Sequence, residues 1–147
     1  MSMRFTPDKI TKLAPDEIFV FGSNLAGRHG GGAALTAMRL FGAEWGKGEG
    51  LQGQSYAIPT MQGGVDTIKP YVDRFLDLAY EWDQTTFLVT RIGCGIAGFK
   101  PEEIAPLFDR AIDMYNVVLP EDFFNILIAR RKRLGIPLPP GLPDEYK

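Results

Sequence analysis

Two glycine-rich segments hold the residues of this chain whose types and spacing could do chemistry. Residues 30–32 are consecutive glycines downstream of the apolar run 18–22, and residues 93–98 contain three glycines after the apolar run 86–92. Each segment leads into a pattern with helical spacing. A strand, a glycine turn and a helix start bring bare backbone N–H groups against an anion at a helix N-terminus. Two such turns in one small domain predict a pocket for a diphosphate-bearing nucleotide.

Polar side chains in and beside the first segment add candidate chemistry. Asn24 follows the first apolar run, where its amide could hold a ribose hydroxyl or could bond to its own backbone in a turn. His29 adjoins the three glycines, so we expect it to be exposed and able to act as a general base or to contact a phosphate. The alternative for His29 is an incidental loop residue.

The second segment offers a thiol and an aromatic ring. Cys94 could be a nucleophile, because the N–H groups of its loop would depress the pKa of a thiol. Catalysis would also need a base, and His29 is the only histidine of the chain. The alternative is a small side chain packed beneath the loop, as is usual for free cysteine. Phe99 could pack on a ribose or base at the rim of the pocket, or in the core.

Glycine spacing by itself allows other interpretations. Gly93, Gly95 and Gly98 formally match the G-x-G-x-x-G of dinucleotide-binding folds, but there the helix starts inside the motif, whereas Pro101 delays it here. An anion-cradling loop is therefore favoured over that fingerprint and over a purely structural turn. Residues 42–53 repeat the glycine spacing without a preceding strand. We interpret them as a loop, either a mobile surface loop or a lid over the ligand.

Composition bounds the class of protein. The chain has 147 residues, 45% of them hydrophobic, and a net charge of −2, which fits one globular domain without general affinity for nucleic acid. One cysteine and one histidine exclude an intramolecular disulfide and disfavour a transition-metal site, so no cofactor is expected. Without a long apolar run or a signal-peptide pattern, we expect a cytoplasmic protein with no membrane partner. The oligomeric state stays open.

The alternation of strand and helix patterns predicts the fold. We expect an α/β protein, a three-layer α/β/α sandwich with a mixed, largely parallel central sheet. Residues 1–134 would form one domain and the Pro-rich residues 135–147 an extended tail. Ligands of such sheets bind beyond the carboxyl ends of the strands, where both glycine segments emerge. The predicted strands are 18–21, 54–58, 87–92 and 117–119, and the predicted helices are 32–41, 67–82, 101–115 and 121–134, with 123–128 alone also compatible with a strand.

With the two glycine segments in this order, the chain resembles the macrodomain family, α/β modules that bind ADP-ribose. The Arg-Ile-Gly-Cys-Gly of residues 91–95 is especially similar to the branch of terminal ADP-ribose protein glycohydrolases. The resemblance implies ADP-ribose or an ADP-ribosylated macromolecule as partner, with its diphosphate between the two loops. It rests on residues 10–13, 16–18, 21–25, 30–34 and 92–99. The ligand-binding residues that it and the loops imply are Asp8, Ser23, Asn24, Gly30, Gly31, Gly32, Gly93, Cys94, Gly95, Ile96, Ala97, Gly98 and Phe99.

The chain departs from the glycohydrolase branch at one position. That branch has a catalytic aspartate where this chain has Ala97, so the resemblance supports ligand binding more than that branch's chemistry. Hydrolysis at the distal ribose is one expectation, with Asn24 holding a water and His29 or Glu49 as proton acceptor. A non-catalytic ADP-ribose reader or sequestering module is the alternative. An interaction protein whose glycine segments are only turns, with partners on the Pro-rich tail, is a third.

Overall fold

The computed structural model describes residues 3–147 as five strands and four α-helices with two 3₁₀ segments. The strands are β1 (Glu17–Ser23), β2 (Gly50–Gln52), β3 (Ser55–Pro59), β4 (Thr86–Val89) and β5 (Val117–Val118). The helices are α1 (Gly32–Leu40), α2 (Val65–Glu81), α3 (Pro101–Ile104) and α4 (Glu121–Leu134), and the 3₁₀ segments are Ala105–Asp113 and Asp144–Tyr146.

The five strands form one sheet in the order β2-β3-β1-β4-β5. β1 is parallel to both β3 and β4, β5 is parallel to β4, and only β2 runs antiparallel to its neighbour β3. Successive side chains of β1 enter opposite cores: Ile18 and Val20 pack with α2 and α4, whereas Phe19 and Phe21 pack with α1. The prediction of an α/β sandwich with a mixed, largely parallel sheet is confirmed.

Two element boundaries near the sheet differ from the sequence pattern. β2, a strand of three residues that pairs with β3, lies inside the segment 42–53 that the sequence predicts as a loop. The helix predicted from residue 67 begins earlier, at Val65, after the N-cap Gly64. Pro70 therefore lies in the second turn of α2, where it removes one backbone N–H donor. These shifts leave the sheet order and the positions of the glycine segments unchanged.

The continuous helix predicted for residues 101–115 is wrong. α3 makes one turn and gives way to the 3₁₀ segment Ala105–Asp113, in which Phe108 has non-helical angles (φ −101°, ψ 17°). Pro106 contributes to the break, because proline has no N–H and its ring collides with the carbonyl four residues earlier, although Pro70 at the equivalent position of α2 leaves that helix continuous. Tyr115, which the pattern directs inward, is 80% exposed.

α4 confirms the helix predicted from its termini and excludes the strand alternative for residues 123–128. Glu121 and Asp122 occupy its first turn and three basic residues its last, the arrangement that a helix dipole favours. One of those bases, Arg131, is buried and donates hydrogen bonds to the carboxylates of Asp109 and Asp113. Within residues 3–147, neither α4 nor any other helix has the length and apolar character needed to cross a bilayer.

Residues 135–147 fold back on α4 and do not run free as an extended tail. Gly135 ends α4 in the left-handed conformation (φ 70°), which glycine adopts without steric cost. Leu142 is then buried against Phe124 and Ile128. The Pro-rich segment therefore contributes to the hydrophobic core.

Candidate functional site

The two glycine segments meet at the carboxyl edge of the parallel strands. The first follows β1 and the second follows β4, and these strands are neighbours in the sheet. Residues of both segments line one cavity of about 220 Å³. The contact across it is close, since a Cβ atom on Gly31 would lie 3.9 Å from Cδ1 of Ile96. The predicted ligand residues that line this glycine cavity are Ser23, Asn24, Gly31, Gly32, Gly93, Gly95, Ile96 and Ala97.

Residues whose backbone N–H groups have no backbone acceptor line the glycine cavity on both sides. α1 begins at Gly32, so the N–H groups of its first turn have no intrahelical acceptor. Within residues 3–147, the N–H groups of Gly31, Gly95, Ile96 and Ala97 donate to no backbone carbonyl. A helix N-terminus and a loop with unpaired amides together form a site that favours an anion.

The glycines of the second loop serve two different purposes. Gly93 has φ +74°, and a Cβ atom there would lie 3.0 Å from Cδ1 of Ile104, so both backbone angle and packing require glycine. Gly95 has an ordinary φ, and a Cβ atom on it would meet nothing within 4 Å. Gly93 therefore shapes the turn, whereas Gly95 leaves the floor of the cavity open.

Asn24 forms a clamp on the backbone of Arg28. The N–H of Arg28 donates to Oδ1 of Asn24 (2.8 Å), and Nδ2 of Asn24 donates to the carbonyl oxygen of Arg28 (3.0 Å). These two bonds are the local turn contact that the sequence allows as the alternative to binding a ribose hydroxyl. Both residues line the glycine cavity. Sequence reasoning missed Arg28; the signal available was an Asn four residues before an Arg within a glycine turn.

The expectation that His29 is exposed and available as a base is wrong. Its side chain is fully buried, with its ring nearly perpendicular to that of Phe21 (84°) at a centroid distance of 5.3 Å. Nε2 donates to the carbonyl oxygen of Lys47 (3.0 Å), which fixes the tautomer because a carbonyl can only accept. Nδ1 has no hydrogen-bond partner in residues 3–147. His29 supports the first loop from beneath and does not line the glycine cavity.

Glu49 lies outside the glycine cavity and cannot accept a proton there. Its carboxylate forms an ion pair with Arg74 of α2, with 2.9 Å between Oε2 and Nε. Burial, and to a smaller extent the Glu49 carboxylate, raises the pKa of Tyr56 in β3 to about 12. The expected role of Glu49 as catalytic base is therefore not supported by its position.

Cys94 has an environment opposite to that of an activated nucleophile. It is half-buried, packs against the main core and does not line the glycine cavity. Burial raises the pKa of its thiol, and this effect exceeds the opposing influence of Arg91. The expected depression of the pKa is therefore wrong, because the side chain turns into the core while the loop amides face the cavity.

Three further predicted ligand residues also lie away from the glycine cavity. Gly30 is exposed and donates its N–H to the carbonyl of Arg28, and Gly98 closes the second turn by donating to Gly95. Phe99 packs beneath that turn on the main core and donates its N–H to the carbonyl of Gly93. They shape the two loops without contributing to the surface of the cavity.

Residues 42–53 form a strap that is fixed to the first loop. The N–H of Gly46 donates to the carbonyl of Gly27 (2.9 Å), and the hydroxyl of Ser23 donates to the carbonyl of Gly48. Gly48 is buried so closely on the carbonyl oxygen of Leu25 that a Cβ atom would collide with it. These bonds favour a structural support over both the mobile loop and the lid that the sequence suggests.

The glycine cavity continues into a larger groove. A neighbouring groove of about 710 Å³ shares Gly32, Ala33, Thr90 and Arg91 with it and extends to Asp8 and the start of α4. Asp8 therefore lies in this extension and not in the glycine cavity itself. Arg91 stands where the two join, and its guanidinium pairs with Asp122 (2.8 Å).

The lining of the glycine cavity can bind an anion but offers no obvious acid or base. Its polar groups in the described chain are backbone amides, the hydroxyl and amide side chains of Ser23, Asn24, Thr60 and Thr90, and two arginines. No carboxylate, imidazole or thiol of residues 3–147 lines it. Such a site holds phosphoryl oxygens electrostatically and leaves proton transfer to other groups.

Comparison with known proteins gives no family for this chain. No protein-family model matches it, and no curated protein or solved structure matches it significantly. The resemblance to macrodomains thus stays a prediction from the sequence, and function must be argued from the site.

Proposed function

We propose that the protein binds ADP-ribose or an ADP-ribose derivative, with the diphosphate in the glycine cavity. The observation that carries the proposal is the meeting of two sets of unpaired amides, at Gly31 with the first turn of α1 and at residues 95–97. A nucleoside monophosphate needs one such set. Two sets facing each other across a narrow cavity suit two linked phosphates.

The adjoining groove supports an extended ligand. It continues from Arg91 along apolar Ile10, Phe19 and Leu40 to Asp8. An apolar wall beside the carboxylate of Asp8 suits a base with an exocyclic amino group, which donates a hydrogen bond to that carboxylate. The same lining also holds Lys9 and Arg39, so the groove as a whole does not repel anionic groups of an extended ligand.

The proposed activity is binding without catalysis. Hydrolysis at the distal ribose needs a group that accepts a proton within hydrogen-bond reach, and the glycine cavity presents none from residues 3–147. Incubation with an ADP-ribosylated protein should accordingly leave the modification in place. Steady release of ADP-ribose would contradict the non-catalytic part of the proposal and leave the binding part intact.

Calorimetric titration with ADP-ribose tests binding, and two loop variants test its location. Gly95→Val and Gly31→Glu should each weaken binding by more than about tenfold, since a branched side chain blocks backbone approach and a carboxylate repels the diphosphate. Both should fold, because a Cβ atom at either position meets no atom closer than 3.9 Å.

Gly64 offers matched controls for both substitutions. It is the N-cap of α2, has open space around its Cβ direction and does not line the cavity. Gly64→Val and Gly64→Glu should therefore bind ADP-ribose as the unmodified protein does. Absence of any heat or thermal shift with ADP-ribose would overturn the proposed function, and unchanged affinity in both loop variants would show that the ligand binds elsewhere.

A further inference from the structure

Arg28 is an uncompensated cation at the glycine cavity. It is exposed and lines the cavity together with both glycine segments. In the described part of the chain its guanidinium has no carboxylate within ion-pair distance. The second arginine of the lining, Arg91, is already paired with Asp122. Unmatched positive charge at the cavity is therefore concentrated on Arg28.

The backbone of Arg28 is held unusually firmly for an exposed turn. Its N–H and carbonyl both bond to the side chain of Asn24, and the same carbonyl also accepts from the N–H of Gly30 (2.9 Å). The preceding Gly27 has φ +73°, and its N–H donates to the carbonyl of Asn24 (2.9 Å). Fixing the backbone limits the region that the long side chain of Arg28 can search.

We infer that Arg28 contacts the phosphoryl oxygens of the ligand, and that Asn24 is the positioning residue that presents it. The inference rests on the proposed function for the identity of the ligand. A guanidinium matches two phosphoryl oxygens in a bidentate contact, and this one need not break an ion pair to do so. Asn24 then acts through the backbone of Arg28, because its amide oxygen and nitrogen are already engaged there.

Charge variants of Arg28 test the first half of the inference. Arg28→Gln should weaken ADP-ribose binding about tenfold, as expected for the loss of one charge-assisted contact. Arg28→Lys should weaken it less, because it keeps the charge and loses only the planar fork. Raising the NaCl concentration from about 50 to about 500 mM should weaken ADP-ribose binding by the unmodified protein more than binding by Arg28→Gln. Arg133→Gln, which removes an exposed charge from the last turn of α4, is the matched control.

Asn24→Ala tests the positioning role, with inorganic pyrophosphate as a second probe. If Asn24 acts through Arg28, Asn24→Ala should lower the affinity for pyrophosphate by the same factor as the affinity for ADP-ribose. The double variant Asn24→Ala/Arg28→Gln should then bind either probe no more weakly than Arg28→Gln does. If Asn24 instead holds a ribose hydroxyl, only ADP-ribose binding should fall and the two effects should multiply. Asn125→Ala, at an exposed position of α4, is the matched control.

The outcomes separate this inference from the proposed function. Pyrophosphate binding that depends on Arg28, without ADP-ribose binding, would support the inference and overturn the proposed function. ADP-ribose binding that Arg28→Gln leaves unchanged would overturn the inference and support the proposed function. Multiplying effects in the double variant would overturn the positioning role of Asn24, and the absence of binding to either probe would overturn both proposals.

Discussion

At the scale of single residues, the loop side chains divide by the direction in which they point. The N–H groups of residues 95–97 have no backbone acceptor and these residues line the cavity, while the side chain of Cys94 packs against the main core. On the other side, His29 is buried beneath its loop, whereas Arg28 is exposed and lines the cavity. Neighbours in sequence thus have opposite environments, because a tight turn sends successive side chains to opposite sides.

The thiol of Cys94 should react slowly at neutral pH. Burial raises its pKa, and the thiolate is the nucleophilic form, so a disulfide reagent should modify the native protein more slowly than the protein unfolded in guanidinium. A raised pKa in the folded state also means that stability falls as pH rises above the pKa of the unfolded thiol. Reaction rates measured across alkaline pH, with unfolding curves of Cys94→Ala as control, check both effects. Equal reaction rates for the native and the unfolded protein at neutral pH would contradict the raised pKa of the buried thiol.

At the scale of elements, the site depends on turns that follow parallel strands and on a strap that supports one of them. β1 and β4 deliver the two glycine segments to one edge of the sheet. The strap of residues 42–53 is bonded to the first loop through Ser23, Gly27 and His29. Because the strap is fixed, the amides on the first loop are held in place before a ligand arrives, which reduces the entropic cost of binding.

Gly93→Ala should lower the free energy of unfolding more than Gly98→Ala. Both glycines have positive φ, so either alanine costs about 1–2 kcal/mol of backbone strain. Only at position 93 would the new Cβ atom press on Ile104, which adds about 1–3 kcal/mol of overpacking. Urea unfolding of the two variants measures the difference. Equal destabilisation would mean that Ile104 moves aside without cost.

At the scale of the whole molecule, the glycine cavity and the Pro-rich segment of residues 135–147 are separate parts of one fold. The segment contributes Leu142 to a core cluster with Phe124 and Ile128 of α4. The buried guanidinium of Arg131 also donates to the carbonyl oxygen of Pro137 (3.1 Å), which fixes the start of the segment. None of these residues lines the glycine cavity.

Leu142→Ala should therefore reduce stability without changing ligand affinity. Truncating a largely buried leucine costs about 2–5 kcal/mol, and a site near the edge of the core belongs at the lower end of that range. Leu134→Ala, at a position 54% exposed, is the control and should change the free energy of unfolding little. A tail that ran free in solvent would give equally small effects for both variants in urea unfolding.

Local patterns were enough to predict most of the elements and where the two glycine segments lie in the fold. The apolar run of β1, the amphipathic period of α2 and the charged termini of α4 each report on neighbouring residues, so the α/β fold could be predicted. The glycine segments predicted two exposed turns, and parallel topology predicted where such turns meet. The break after α3 could not be predicted in the same way, because Pro70 at the equivalent position of α2 leaves its helix continuous whereas Pro106 does not.

The amino-acid sequence by itself determined that glycine turns follow two parallel strands, because strand and turn propensities act over a few residues. Only the tertiary structure decided which side chains face the cavity. His29 is buried by Phe21 and the strap, Glu49 pairs with Arg74, and Arg28 has no ion-pair partner among residues 3–147. Each outcome depends on a contact between residues far apart in the chain or on the direction of a turn, and hydrophobic periodicity carries no information about either.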